Sequence, residues 1–374
     1  MLSTKNLITP FTISSMYSIV DFLKFSYFPF LSGRFKIISI FYVSLFSLVT
    51  LGHDAFMLFS ILPPFDFCNL ICFTQIHVVT VILGDLMMVI LMFIVLFAKI
   101  DYSEYEVSWK LIGLSLANEL IANEIKSTKK DTKLFIAIYS FFWLLTSPFC
   151  LYMNLSSHHP FGLLQMTIEM SHIIAYGIIA ILVFIKMHTI FTSSSLIKVT
   201  FRAIGHCIET HPEVTWNLES LQYYRRMYTQ TIELTNTANR IWSFYLSFMY
   251  PSFNIMGLLL LYTMVSSGYD PWRYFILGST SIALFWTLSF LNKYIIGINT
   301  EAAALHDIVY RKSLLDLDER YMLEALLFLE RIAREDVGYK LHGKFVFSPT
   351  LMASMVTLGV TIVIAFPSFI TIKL

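Results

Sequence analysis

Seven stretches of this chain each carry roughly 20 or more mostly apolar residues between charged flanks, the length an α-helix needs to cross the hydrocarbon core of a bilayer. They run over 37–62, 70–98, 134–152, 163–185, 242–265, 274–292 and 347–370. No other feature constrains the fold as strongly. Hydrocarbon offers backbone N–H and C=O groups no partner, so each crossing segment must satisfy its own, as a helix does. Composition agrees: 56% of the 374 residues are hydrophobic and 14% are charged, against about 25% charged in a soluble domain. The first six runs fall into pairs joined by short turns, such as Pro63-Pro64-Phe65-Asp66 and Ser267-Gly268-Tyr269-Asp270-Pro271, and each pair reads as a helical hairpin. The second and last runs are long enough to tilt. No internal repeat, low-complexity tract or long linker divides the chain, so the expected fold is a single all-α integral membrane domain over 1–374.

Orientation follows from where the basic residues sit. Lys5, Lys24, Arg34 and Lys36 precede the first run, six Lys or Arg lie between the second and third, six between the fourth and fifth, and eight between the sixth and seventh. Only Arg273 and Lys373 fall on the other side. The basic side is cytoplasmic. Long loops hold more charge of every kind, but the four N-terminal residues agree independently of loop length. The N-terminus is therefore expected inside, the C-terminus outside, and the long connections in the cytoplasm of a multi-pass plasma-membrane protein. The lone sequon Asn154-Leu155-Ser156 lies on the outer side, close to the membrane. The N-terminus has neither a basic start with an apolar core nor a small-residue cleavage site, so insertion relies on the first span. This topology is the reverse of a G-protein-coupled receptor.

Two cytoplasmic connections read as helical. Between Ser103 and Lys133, Trp109, Leu111, Leu114, Leu116, Leu120 and Ile121 alternate with Glu104, Glu106, Lys110, Glu119 and Glu124, and the stretch ends in Lys126, Lys129 and Lys130. That basic run suits anionic inner-leaflet lipid, and equally suits an ordinary stop-transfer flank. Between Glu301 and Val337, Leu305, Ile308, Val309, Leu315, Met322, Leu326, Leu329 and Ile332 recur at helical spacing, and the pattern predicts two helices with a break near 315–318. Such stripes must bury against something. A stalk between subunits and packing within one chain both satisfy them.

The chemistry-bearing motifs are sparse. Cys68, Cys72, Cys150 and Cys207 form no CxxC pair, and His158-His159 stands alone, so neither a metal site nor a cofactor is expected. Cys68 and Cys150 would both lie outside, either paired or free. No nucleophile, acid–base or metal motif of an enzyme appears. A net charge of +1 gives no footprint for nucleic acid. A transporter would show paired repeats and helices broken at mid-membrane; Pro148 and Pro251 are candidate breaks, but without symmetry around them.

An inside N-terminus, paired spans with short outer turns, long helical cytoplasmic connections and a short outer tail resemble the insect gustatory and odorant receptor superfamily. Glu301 with its helical stretch, then Leu326-Leu327-Phe328-Leu329-Glu330, then Gly343-Lys344-Phe345-Val346-Phe347-Ser348 leading into the last span, look like the C-terminal third of a gustatory receptor. Those receptors end in a helix with Thr-Tyr, five apolar residues and Gln-Phe. Here Thr357-Leu358 is followed by six residues and Ala365-Phe366, so the Tyr is Leu, the Gln is Ala and the spacing is one longer.

The resemblance implies a ligand-gated cation channel for a small organic ligand. It would assemble in membrane lipid as a homo- or heterotetramer of related receptor subunits, with the final helices lining the pore. Ser354, Thr357, Thr361 and Ala365 share one face at three- and four-residue spacing, with Val360 and Ile364 beside it. As a pore wall this face offers hydroxyl oxygens to cations and an apolar constriction, whereas as packing it lets helices approach. With Ala in place of the Gln, a receptor fold that has lost conduction is the alternative. For the ligand, Gln165, Glu169, His172 and Tyr176 share a face of the fourth span, Trp143 and Trp286 supply apolar wall, and His77 and Asn254 lie at compatible depths. Glu169 and His172 could instead satisfy each other structurally, and Asp85 and His53 with Asp54 carry the same two readings.

Tags fused before Met1 and after Leu374 should report this threading: in intact cells the second should bind antibody and the first only after permeabilisation. Equal access from one side would refute an odd number of crossings.

Overall fold

A computed structural model describes residues 187–371, apart from 188, 267–270, 316–317, 335 and 342, together with isolated helical positions within 41–51, 86–90 and 123–141. The order is helix α1 over 189–210, a 3-10 turn at Glu213–Thr215, α2 at Leu218–Ser266, α3 at Pro271–Ser313 and α4 at Glu319–Ala333. Strands β1 at Lys340–Leu341 and β2 at Phe345–Val346 follow, then α5 at Pro349–Thr371. The fourth expected span and most of the first, second and third lie outside the described residues, as do 103–122, the sequon, Cys68, Cys72 and Cys150.

Within the described residues two helices are long and apolar enough to cross a membrane, over Leu218–Met264 and Leu277–Ser313. The expected spans 242–265 and 274–292 are the apolar ends of these much longer helices. α2 has 49 residues and α3 has 43. At about 1.5 Å per residue, α2 reaches about 74 Å and α3 about 65 Å, roughly twice the hydrocarbon thickness. Pro251 lies inside α2 without ending it. In a membrane helix, neighbouring groups re-satisfy the backbone that a proline frees. α2 and α3 run antiparallel, and their register is fixed by Phe285 lying over Gly257 and Met264 over Gly278.

The core lies beyond the apolar ends, around α1. Ile190, Phe191, Ile197, Phe201, Ile204 and Ile208 are completely buried there between α2, α3 and α4. Arg202 of α1 pairs with Glu301 of α3, and Arg225 of α2 pairs with Glu324 of α4. The break predicted near 315–318 is present: α3 ends at Ser313 and α4 begins at Glu319. Asp318 causes the restart, because its extended backbone lets the carboxylate accept from Tyr321 N (3.3 Å) as an N-cap.

α4 carries two apolar faces. Tyr321, Ala325, Phe328 and Ile332 recur every three or four residues and are buried against the chain's own core. Met322, Leu323, Leu326 and Leu327 point away, and Leu326 is 63% exposed. The stripes read from the sequence are thus half buried within one chain and half left open.

Candidate pore helix and ligand-facing surface

α5 starts where its sequence says a helix should. Gly343, at φ 73, occupies the left-handed position of the turn closed by Lys344 N donating to Leu341 O (3.0 Å). Ser348 then caps the helix by accepting from Leu351 N (3.2 Å), and Pro349, which has no N–H to lose, takes the first helical position. Among the described residues, one narrow stripe holds α5 to the rest of the chain. Met352 and Gly359 are buried, Met355 packs on the core, and a Cβ at Gly359 would stand 2.7 Å from Leu258 Cδ1 and 3.7 Å from Asn254 Nδ2. Any larger residue there would force the Leu258 side chain to shift.

The opposite face is open. Ser354, Thr357, Val360, Thr361 and Ile364 are exposed and Ala365 is half-buried. Each hydroxyl donates to the carbonyl four residues back: Ser354 to Thr350 (3.0 Å), Thr357 to Ala353 (2.9 Å) and Thr361 to Thr357 (2.9 Å). With their only hydrogens turned into the helix, these oxygens present lone pairs outward. Among the described residues, close packing of α5 on its own chain falls to Gly359 rather than to Ser354, Thr357 or Thr361.

The two ligand candidates within the described residues lie on different surfaces. Asn254 is 3% exposed on the α2 face that meets α5, and its Oδ1 has no hydrogen-bond partner among the described residues. Trp286 sits on another face of α3, its ring 5.2 Å from Phe290. Phe290 in turn meets Phe135 (5.4 Å) and Phe191 (6.1 Å), and Phe191 stacks on Tyr294 at 4.9 Å. Trp286 therefore rests on an aromatic floor shared with Phe135, at the start of the expected third span, and with α1, and its buried Nε1 has no partner among the described residues. Trp143, Gln165, Glu169, His172 and Tyr176 lie outside the described residues, as do His53, Asp54, His77 and Asp85.

Two polar clusters escaped the sequence reading. Just before the expected third span, Asp131 Oδ2 accepts from Lys293 Nζ and from Tyr294 Oη (2.7 Å). Burial resists ionisation of Asp131, but those two bonds and the charges of Lys293 and Lys130 outweigh it and hold its carboxyl below the usual range. At the far end, Trp216 Nε1 donates to Tyr321 Oη (2.6 Å), Tyr321 donates to Lys312 O (2.6 Å), and Lys312 Nζ donates to His211 O (3.0 Å). This relay ties the 3-10 turn to the α3–α4 elbow. Beside it, burial and then the neighbouring Cys207 and Tyr223 push the Tyr224 hydroxyl up to about 12, so it stays protonated and donates to Cys207 O (3.3 Å).

No family model and no curated protein matches the chain. Among solved structures, the insect olfactory receptor OR5 from Machilis hrabei in complex with eugenol superposes with a TM-score of 0.67 at 12% identity, over 96% of this chain and 98% of that one. This chain has the fold of an insect olfactory receptor. A second structure of OR5 gives a TM-score of 0.65 at 13% identity, over 95% of this chain and 97% of that receptor. The likeness runs the length of both chains, so the shared fold includes the core around α1 as well as the apolar helices.

The Asp131 cluster gives a signed pH dependence. Its folded-state pKa lies below the unfolded value of about 3.9, so its stabilisation is complete above about pH 4 and lost as pH falls further. Asp131→Asn should lower the melting temperature of the purified protein at neutral pH. The gap to the parent should narrow in acid below about pH 4. A gap independent of pH would assign the effect to something other than the carboxylate.

Proposed function

We propose that this chain is a subunit of an insect chemoreceptor of the gustatory–odorant superfamily, a tetrameric ligand-gated cation channel opened by a small organic molecule. In this reading residues 1–374 form one domain of seven spans in the plasma membrane, with the N-terminus cytoplasmic and the C-terminus outside. The full-length likeness to OR5 carries the reading. Four copies of α5 would surround the pore, with Ser354, Thr357, Thr361 and Ala365 facing the ions and Val360 and Ile364 forming a constriction that dewets when closed. The outward lone pairs of the three hydroxyls support this, because a dehydrating cation needs oxygen acceptors.

The ligand would bind above the aromatic floor, between Trp286 and the spans bearing Trp143, Gln165, Glu169, His172 and Tyr176. A buried N–H beside aromatic rings favours a neutral, largely aromatic ligand with an oxygen acceptor. OR5 was solved with eugenol. Asn254, the other pocket candidate among the described residues, would meet the ligand from the α2 face beside α5. Ala365, where gustatory receptors carry Gln, favours a second reading, in which this subunit conducts only beside a related one.

Expressed in cells and challenged with a panel of small aromatics beginning with eugenol, the chain should pass ligand-evoked cation current, alone or with a related subunit. Silence from tetramers confirmed at the cell surface, with and without a partner subunit, would sink the channel reading. Assembly has its own test. Leu323→Glu with Leu326→Glu places charge on the open face of α4 and touches none of the protomer's buried side chains. It should convert the detergent-purified tetramer to smaller species while leaving helical content unchanged; a tetramer that survives would place the subunit contact elsewhere.

A further inference from the structure

The segment joining α4 to α5 passes through the interior: Val337 is 3% exposed, and Tyr339 and Phe347 are completely buried. Buried backbone needs partners, and side chains from two helices supply them. Asn299 of α3 donates its Nδ2 to Val337 O (3.0 Å). On α2, Asn239 Oδ1 accepts from Lys340 N (2.6 Å) and Ser243 Oγ donates to Lys340 O (2.7 Å). The two ends of the segment are joined by Phe347 N donating to Tyr339 O (2.8 Å).

The Tyr339 side chain reaches a third helix, α1. Ser193 Oγ gives its hydrogen to Ile190 O (3.0 Å), so it can only accept from Tyr339 Oη, 3.2 Å away. Ser194 Oγ donates to Tyr339 Oη at 3.4 Å. The hydroxyl is thus fully used, as donor and acceptor, on two consecutive residues of α1. Just upstream of α1 in the sequence is the run 163–185, which holds four of the candidate ligand residues. Just beyond the Tyr339–Phe347 backbone bond is Pro349, the first residue of α5.

We propose that Tyr339 is a positioning residue that couples α1 to α5: its hydroxyl fixes the start of the final helix to Ser193 and Ser194, so that a displacement of α1 is passed to α5. The role as a gating link rests on the channel reading above; the mechanical link does not. Tyr339→Phe removes the hydroxyl and keeps the ring. In hydrogen–deuterium exchange on the purified full chain, amides over 345–356 should exchange about fivefold faster, the effect of one neutral hydrogen bond. Those of 319–333 in α4 should not change. The double variant Ser193→Ala, Ser194→Ala should produce the same local change and add nothing to Tyr339→Phe.

Faster exchange over 319–333 as well, no change anywhere, or additive effects would each overturn the proposal. In single-channel recordings without ligand, Tyr339→Phe should alter open probability and leave unitary conductance as it was. A parent chain that passes no current counts against the channel reading alone, and the exchange result still decides the link.

Discussion

α2 and α3 lie side by side, and α1, α4, α5 and β1 all attach to that pair. The two ends of the pair are held by different physics. Lipid tails give apolar side chains no reason to leave them, so the apolar ends rely on close approach: Phe285 over Gly257, Met264 over Gly278, and Gly359 of α5 against Leu258. Water drives burial at the other end, where large rings fill the core: Phe201 against Tyr228 at 5.3 Å and Tyr228 against Phe328 at 5.5 Å. The same two helices therefore seat α5 by small residues and α1 and α4 by aromatic ones.

That division explains why the polar groups concentrate where they do. Asp131, Lys293 and Tyr294 meet close to the expected ends of the third and sixth spans, and the bonds to Val337, Tyr339 and Lys340 gather just before α5 begins. A chain leaving hydrocarbon loses the option of a featureless apolar neighbour, and a loop turning back into the structure brings unpaired backbone with it. Asn239, Ser243 and Asn299 meet that demand with side chains already carried by the two long helices.

The parts legible in the sequence were those set by local rules. Apolar length marked runs 242–265, 274–292 and 347–370, which fall in helices α2, α3 and α5, and helical spacing over 301–337 placed the break near 315–318 where α3 gives way to α4. The continuity of α2 and α3 was not legible, because hydropathy marks where a helix leaves the membrane and not where it ends. Only the absence of proline between Leu218 and Trp242, and between Asn292 and Ser313, could have signalled it. The side-chain clasps were hidden for a different reason. Asn239 and Lys340 are 101 residues apart and Asp131 and Lys293 are 162 apart, so no periodicity connects them. The face of Asn254 was likewise fixed by Gly359, a residue on another helix.

α5 poses the sharpest energetic question. Met352, Met355 and Gly359 hold it to its own chain along a single stripe, while Ala353, Ser354, Val356, Thr357, Leu358, Val360, Thr361 and Ile364 are all exposed. The exposed set wraps most of the helix, wider than any one partner helix could cover. Lipid can accept Val356, Leu358 and Ile364 at no cost, and it can tolerate hydroxyls whose hydrogens are bonded back to the helix. It offers nothing to the remaining lone pairs, which water or a cation would satisfy. Under the proposed assembly, the neighbouring subunits and the aqueous axis cover what the protomer leaves open. In that arrangement forming the tetramer and forming the pore are one event, and the exposed face of α4 supplies apolar surface to drive it.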